Sequence, residues 1–165
     1  MTRTWPDFDP RGLLGLLTAR GVDFVVIGGY AAALHGSPRI TQDLDVLYAT
    51  DAANLVALAR VLDELNARLC GIDEEVPFRA DKRTLGSVEL LTLETDRGRL
   101  DLMTAPDGRA GYERLRRRAA RFDIGGFVVS VAEVGDLIAM KEAAGRPKDL
   151  ADVAELEAID RLRRR

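Results

Sequence analysis

The sequence predicts an α/β (α+β) domain: one mixed sheet flanked by helices, with a helical segment at the C-terminal end. Three observations carry this. Short apolar runs alternate with stretches of helical spacing along the chain, as in a sheet with helices packed on it. The run Phe24 to Ile27 ends in Gly28-Gly29 and leads into a helix-forming segment. Two further apolar runs, 87–94 and 99–104, flank Thr95-Asp96-Arg97-Gly98, which has hairpin-turn composition.

The elements follow in order. Asp9 or Pro10 opens a helix to about Arg20, with Leu13, Leu14, Leu16 and Leu17 forming a broad apolar face, and Gly21 ends it. A strand spans 23–27 and a short helix 30–34, before Gly36-Ser37-Pro38 breaks the chain. A second strand covers 44–48. Asp51 caps a helix to about Arg68, its Leu55, Leu58, Ala59, Leu62 and Leu65 at helical spacing. The hairpin comes next, then a basic helix over 110–121 and a strand over 126–131. A helix over 132–144 is interrupted at Gly145-Arg146-Pro147, and a terminal helix runs over 148–163. The chain reads as one domain over 1–165, with its sheet over about 20–131 and C-terminal helices over about 132–165.

Composition narrows the function. No apolar run approaches the ~20 residues that span a bilayer. The first fourteen residues lack the apolar stretch of a signal peptide. Cys70 is the only cysteine, which excludes an internal disulfide and fits a reducing cytoplasm; it reads as a small buried hydrophobe near a helix end. His35 is the only histidine, so a histidine zinc cluster is excluded, and its place before Gly36 suits capping or packing. The net charge of −3 argues against bulk nucleic-acid binding. Arg109, Arg114, Arg116, Arg117, Arg118 and Arg121 nevertheless cluster, and four arginines end the chain between 161 and 165. They read either as a solvated helix face or as a surface for RNA phosphates.

The chemistry concentrates in Asp43-Leu44-Asp45. Alternate residues of a strand share a face, so the two carboxylates project together while Leu44 and Val46 point the other way. Such a pair repels and is costly to desolvate unless a cation sits there, and hard divalent ions take oxygen ligands of this kind. At ~3.3 Å per residue the Cα atoms lie roughly 6–7 Å apart, a spacing that can bracket two metal ions. Gly28-Gly29 lets backbone approach a ligand closely and aims amide groups and a helix N-terminus at an anion. Phosphate on one side and metal on the other suits phosphoryl or nucleotidyl transfer. In the run 99–104, Asp101 shares a face with Arg99 and alternates with Leu100 and Leu102, which makes it a third site-facing carboxylate. Each feature alone has a plainer reading: a tight turn, a half-buried polar face, a solvated strand residue.

Gly28-Gly29, a spacer, then Asp43-x-Asp45 resembles the DNA polymerase β-like nucleotidyltransferase superfamily, whose sheet is mixed and mostly antiparallel. The wording GGYAAALHGSPRITQDLDV is similar to small bacterial AbiEii-type and related minimal nucleotidyltransferases. Leu137 to Lys141 and Arg146-Pro-Lys148-Asp149-Leu-Ala-Asp152 resemble their helical motif after the sheet. The resemblance implies a third catalytic aspartate, Asp101, on a strand antiparallel to its neighbours. It implies that Asp43, Asp45 and Asp101 ligate two Mg²⁺, with Mn²⁺ as an alternative, and that Asp101 helps deprotonate the attacking hydroxyl. It places Gly28, Gly29, Arg39 and Thr41 beside an NTP donor, and Lys141, oriented by Asp152, on the triphosphate. Plain roles for Arg39, Thr41 and Lys141 are loop solvation, a strand-start hydrogen bond and a solvated helix face. The implied activity is transfer of a nucleoside monophosphate to a hydroxyl of tRNA, a protein or a small molecule such as an aminoglycoside or lincosamide. AbiEii-like relatives act in toxin–antitoxin pairs, so a cognate antitoxin or toxin protein is an implied partner. The alternative class is a non-catalytic binding module on the same fold. No P-loop Gly-Lys-Ser/Thr is present, so an ordinary NTPase reading fails.

Overall fold

A computed structural model of the protein describes residues 6–71 and 80–165. Helix α1 (Pro10–Ala19) starts where Asp9 accepts a hydrogen bond from the Gly12 amide, with Pro10 at its first position. Its Leu13, Leu14 and Leu17 are fully buried. Strand β1 (Phe24–Ile27) is buried along its length and passes directly into α2 (Gly28–Leu34). Strand β2 (Asp43–Tyr48) follows, then α3 (Ala52–Glu64), whose Asp51 cap accepts from the Asn54 amide at 3.0 Å.

The long helix predicted to about Arg68 stops at Glu64. Asn66 takes a left-handed conformation, φ 50°, and Arg68–Leu69 forms a short strand, β3. Helix α4 (Lys82–Ser87), which has no counterpart in the predicted elements, precedes β4 (Leu90–Thr95). Residues 87–89 of the predicted strand therefore lie outside β4. The hairpin stands, with Asp96 and Arg97 turning β4 into β5 (Gly98–Met103). The predicted basic helix over 110–121 is shorter at its end: α5 (Gly108–Arg118) breaks at extended Ala119, and β6 (Ala120–Asp123) begins. Strand β7 (Val128–Val131) leads to α6 (Val134–Ala144) and α7 (Pro147–Arg163). Gly145, at φ 65°, closes α6, and Pro147 opens α7.

The strands form one sheet in the order β3-β4-β5-β2-β1-β7-β6. It is mixed and mostly antiparallel: β1–β2, β3–β4, β4–β5 and β6–β7 run antiparallel, while β1–β7 and β2–β5 run parallel. The strand carrying Asp101 is thus antiparallel to β4 but parallel to β2, a correction to the expectation that it opposes both neighbours. Side-chain alternation sets the face a residue occupies and leaves strand direction open.

Leu44, Val46, Leu100 and Leu102 are fully buried on the face opposite the aspartates. That face packs toward α4, where Tyr48 donates its hydroxyl to the Leu85 carbonyl at 2.5 Å. Cys70, expected to be a buried hydrophobe, is half-buried beyond β3, its Sγ 3.5 Å from Glu94 Oε1. His35 is buried at the end of α2. Its Nε2 lies 2.8 Å from the Ala132 carbonyl and its Nδ1 2.7 Å from an Arg163 nitrogen, which ties α7 to the sheet. Among the described residues no helix is long and apolar enough to cross a membrane.

Candidate active site

The parallel pairing of β2 with β5 sets Asp45 directly beside Asp101 and Asp43 beside Arg99. Register partners share a face, so three carboxylates converge. One oxygen from each of Asp43, Asp45 and Asp101 lies within 4.8 Å of the others. Burial pushes the Asp45 carboxyl up to about 7, with repulsion from Asp43 and Asp101 adding to it. Burial also raises Asp101, opposed by its hydrogen bond with Asp45.

Among the described residues Asp101 Oδ1 is sealed from solvent and has no hydrogen-bond partner. A buried carboxylate oxygen without a partner is costly, and a coordinated cation removes that cost. All-oxygen donors converging on such an atom fit a hard divalent ion.

Gly28 is required by two features at once. Its φ is 68°, and a Cβ placed there would overlap the Asp45 carboxylate. The glycine lets Asp45 lie flat across the start of α2. A Cβ at Gly29 would sit 3.2 Å from Thr41 Oγ1. Thr41 Oγ1 in turn lies 3.0 Å from the Asp43 carbonyl and 3.1 Å from Asp43 Oδ1, which braces that carboxylate. The residue at the N-cap of α2, Ile27, makes no side-chain capping hydrogen bond.

Asp43 and Asp45 line a cleft of about 920 Å³ between the sheet and the α6–α7 corner. Lys141 enters it from α6, its Nζ 3.1 Å from Asp152 Oδ2 and 3.5 Å from Asp149 Oδ1. Asp149 is fully buried and also accepts from Arg146 Nε at 2.8 Å and the Arg146 amide at 3.1 Å. The Arg146 guanidinium holds Asp149 below the usual carboxylate range. Arg39 pairs with Asp152 and, at 2.8 Å, with Glu155 Oε2. The structure therefore brings Gly28, Gly29, Arg39, Thr41, Asp43, Asp45, Lys141 and Asp152 to one cleft, with Asp101 against Asp45.

Sequence reasoning did not single out Asp149 or Glu155 as site residues. The available signal was the three-residue spacing of Asp149, Asp152 and Glu155, which puts acids along one flank of a helix. The arginine cluster is largely engaged with acids. Arg114 lies 2.9 Å from Asp107, Arg118 3.2 Å from Asp136 and Arg116 3.6 Å from Asp23, which favours the solvated-face reading.

Comparison with known proteins adds the family. A family model described as nucleotidyl transferase AbiEii toxin, type IV TA system, matches residues 16–164. A comparison with curated proteins gives no match. Among solved structures, the lincosamide antibiotic adenylyltransferase LnuA, lincomycin-bound, superposes with a TM-score of 0.59 at 13% identity, over 93% of this chain and 99% of that one. A nucleotidyltransferase candidate from Thermotoga maritima gives 0.56 at 17% identity over 88% of each chain. ANT(2″)-Ia in complex with adenylyl-2″-tobramycin gives 0.51 at 16% identity, over 93% of this chain and 91% of that one. At these identities the likeness is one of fold.

Proposed function

The chain belongs to the AbiEii nucleotidyltransferase family, and from that premise we propose that it moves a nucleoside monophosphate from an NTP to a hydroxyl on an acceptor, as the toxin of a toxin–antitoxin pair. The observation that carries the reading is the Asp43–Asp45–Asp101 cluster, with its unpartnered buried oxygen, at the edge of a cleft that also holds Lys141. Asp43, Asp45 and Asp101 would hold the divalent cations, Mg²⁺ by the hardness of the donors. Bound there, such ions supply neutralisation of triphosphate charge and a lower pKa for the attacking hydroxyl.

The chain's own groups do the rest. The amides of Gly28 and Gly29, free of a side-chain cap, face the donor phosphates. Lys141 exchanges part of its contact with Asp149 and Asp152 for the triphosphate. The acceptor oxygen bonds to the α-phosphorus, and the bond to the β-phosphate bridging oxygen breaks, so pyrophosphate leaves with the electron pair. Asp101, beside the reacting centre, takes the hydroxyl proton.

The test uses NTPs labelled at the α- or the γ-phosphate, incubated with the protein and cell extract. Transfer of α-label alone to RNA, protein or small molecules, lost in Asp43→Asn, supports the reading and identifies the acceptor class. No α-label transfer from any of the four NTPs refutes it.

A further inference from the structure

The α2–β2 loop, residues 36–42, borders the cleft and has little packing to hold it. It begins Gly36-Ser37-Pro38, and the side chain at its centre, Ile40, is 92% exposed. What restrains the loop is α7. Ser37 Oγ donates to Glu155 Oε1, and Arg39 Nε lies 2.8 Å from Glu155 Oε2. Both carboxylate oxygens of Glu155 are thus committed to the same loop, and its side chain is only 25% exposed. Two residues on from Arg39, Thr41 braces Asp43 through its backbone oxygen and its carboxylate.

We propose that Glu155 is a positioning residue for nucleotidyl transfer: through Ser37 and Arg39 it fixes the 36–42 loop, so that Thr41 holds Asp43 in its cation-binding orientation. This rests on the reading of the cleft given above. It also reassigns Arg39. Its guanidinium faces two carboxylates, Asp152 and Glu155, and it serves the loop rather than the nucleotide. An acid beside a triphosphate site would otherwise repel its ligand. Glu155 avoids this because its charge is matched by Arg39.

The Arg39–Ile40 bond is a trypsin site on this loop, and cleavage there reports the fraction of molecules in which the loop has come free. The test compares wild type, Glu155→Ala and Glu155→Gln without ligand, following this cleavage by mass spectrometry, and measures Mn²⁺ binding by electron paramagnetic resonance. Glu155→Ala is expected to speed the cleavage about tenfold and to weaken Mn²⁺ binding by about three- to tenfold. Glu155→Gln keeps an acceptor for Ser37 and should recover much of both, which also serves if the alanine variant fails to fold. Unchanged cleavage in both variants overturns the clasp. Faster cleavage with unchanged Mn²⁺ affinity overturns the link to Asp43. Wild-type protein that protects the bond yet binds no Mn²⁺ overturns that link together with the transfer reading, while the clasp itself stands.

Discussion

Replacing Asp45 with Asn should destroy transfer and, in the absence of metal, stabilise the fold. Burial and two neighbouring carboxylates lift the Asp45 pKa from 3.8 to about 7. A carboxyl whose folded pKa is raised contributes stability that is fully present below its unfolded pKa and lost as pH rises through the folded value. The metal-free protein should therefore lose stability between about pH 4 and pH 7 through this group. About three pH units at 1.36 kcal/mol each sets a ceiling of ~4 kcal/mol. The site opens to a cleft and Asp45 titrates beside Asp101, so about 1–2 kcal/mol is the expected penalty at pH 8. An asparagine side chain carries no charge and escapes it. For a chain of this length that corresponds to a rise in Tm of about 2–8 °C. The assay is thermal melting of both proteins in EDTA at pH 8 and pH 4.5. The gain should appear at pH 8 and nearly vanish at pH 4.5, where Asp45 is itself protonated. Added Mg²⁺ with a nonhydrolysable NTP should then stabilise wild type and leave the variant unmoved. An Asp45→Asn variant less stable than wild type at pH 8 in EDTA, or one with wild-type transfer, would refute the electrostatic argument.

Gly28→Ala should lose at least ~2 kcal/mol in urea titration together with Mn²⁺ binding, since the left-handed backbone is strained and the new methyl displaces the Asp45 carboxylate. Thr41→Val removes one hydroxyl at nearly constant volume. It should cost only ~0.5–1.5 kcal/mol of stability in urea titration but about tenfold in Mn²⁺ affinity. Lys141→Gln should raise the NTP dissociation constant about tenfold or more in calorimetry, because a charge-assisted phosphate contact is lost. Arg114→Gln breaks only an exposed pair with Asp107, so stability should stay within ~0.5 kcal/mol and transfer unchanged.

The site was legible where chemistry and periodicity coincide. Asp43 and Asp45 alternate with Leu44 and Val46, and Asp101 with Leu100 and Leu102, so the period of two assigned each to a face. What the period could not give was direction: β5 lies parallel to β2, and only that pairing sets Asp45 against Asp101. The shortest elements were also beyond reach. Arg68–Leu69 is too brief to show a pattern, and Ala120–Asp123 follows an arginine-rich helix without a glycine or proline to mark the break. The end of α3 turns on Asn66, a residue that tolerates positive φ but does not announce it. Nothing in the sequence marks Asp149, one acid of the Arg146–Asp152 stretch, for complete burial. Its surroundings combine a local contact, Arg146 three residues back at the start of α7, with a tertiary one, Lys141 of α6, which no local pattern encodes.

The pairing of Asp45 with Asp101 also bears on when the protein can act during its own synthesis. Between the two residues the chain must complete α3, β3, α4 and β4 before β5 can return alongside β2. Parallel neighbours require such a crossover and are slow to form, because the loop must close before its contacts repay it. A chain stalled on the ribosome before β5 carries both aspartates of β2 but lacks the third carboxylate. One stalled after β5 but before α6 carries all three carboxylates and still lacks Lys141. On the transfer proposed above, the nascent chain would be inert by topology until β5 has joined β2 and α6 has followed the sheet.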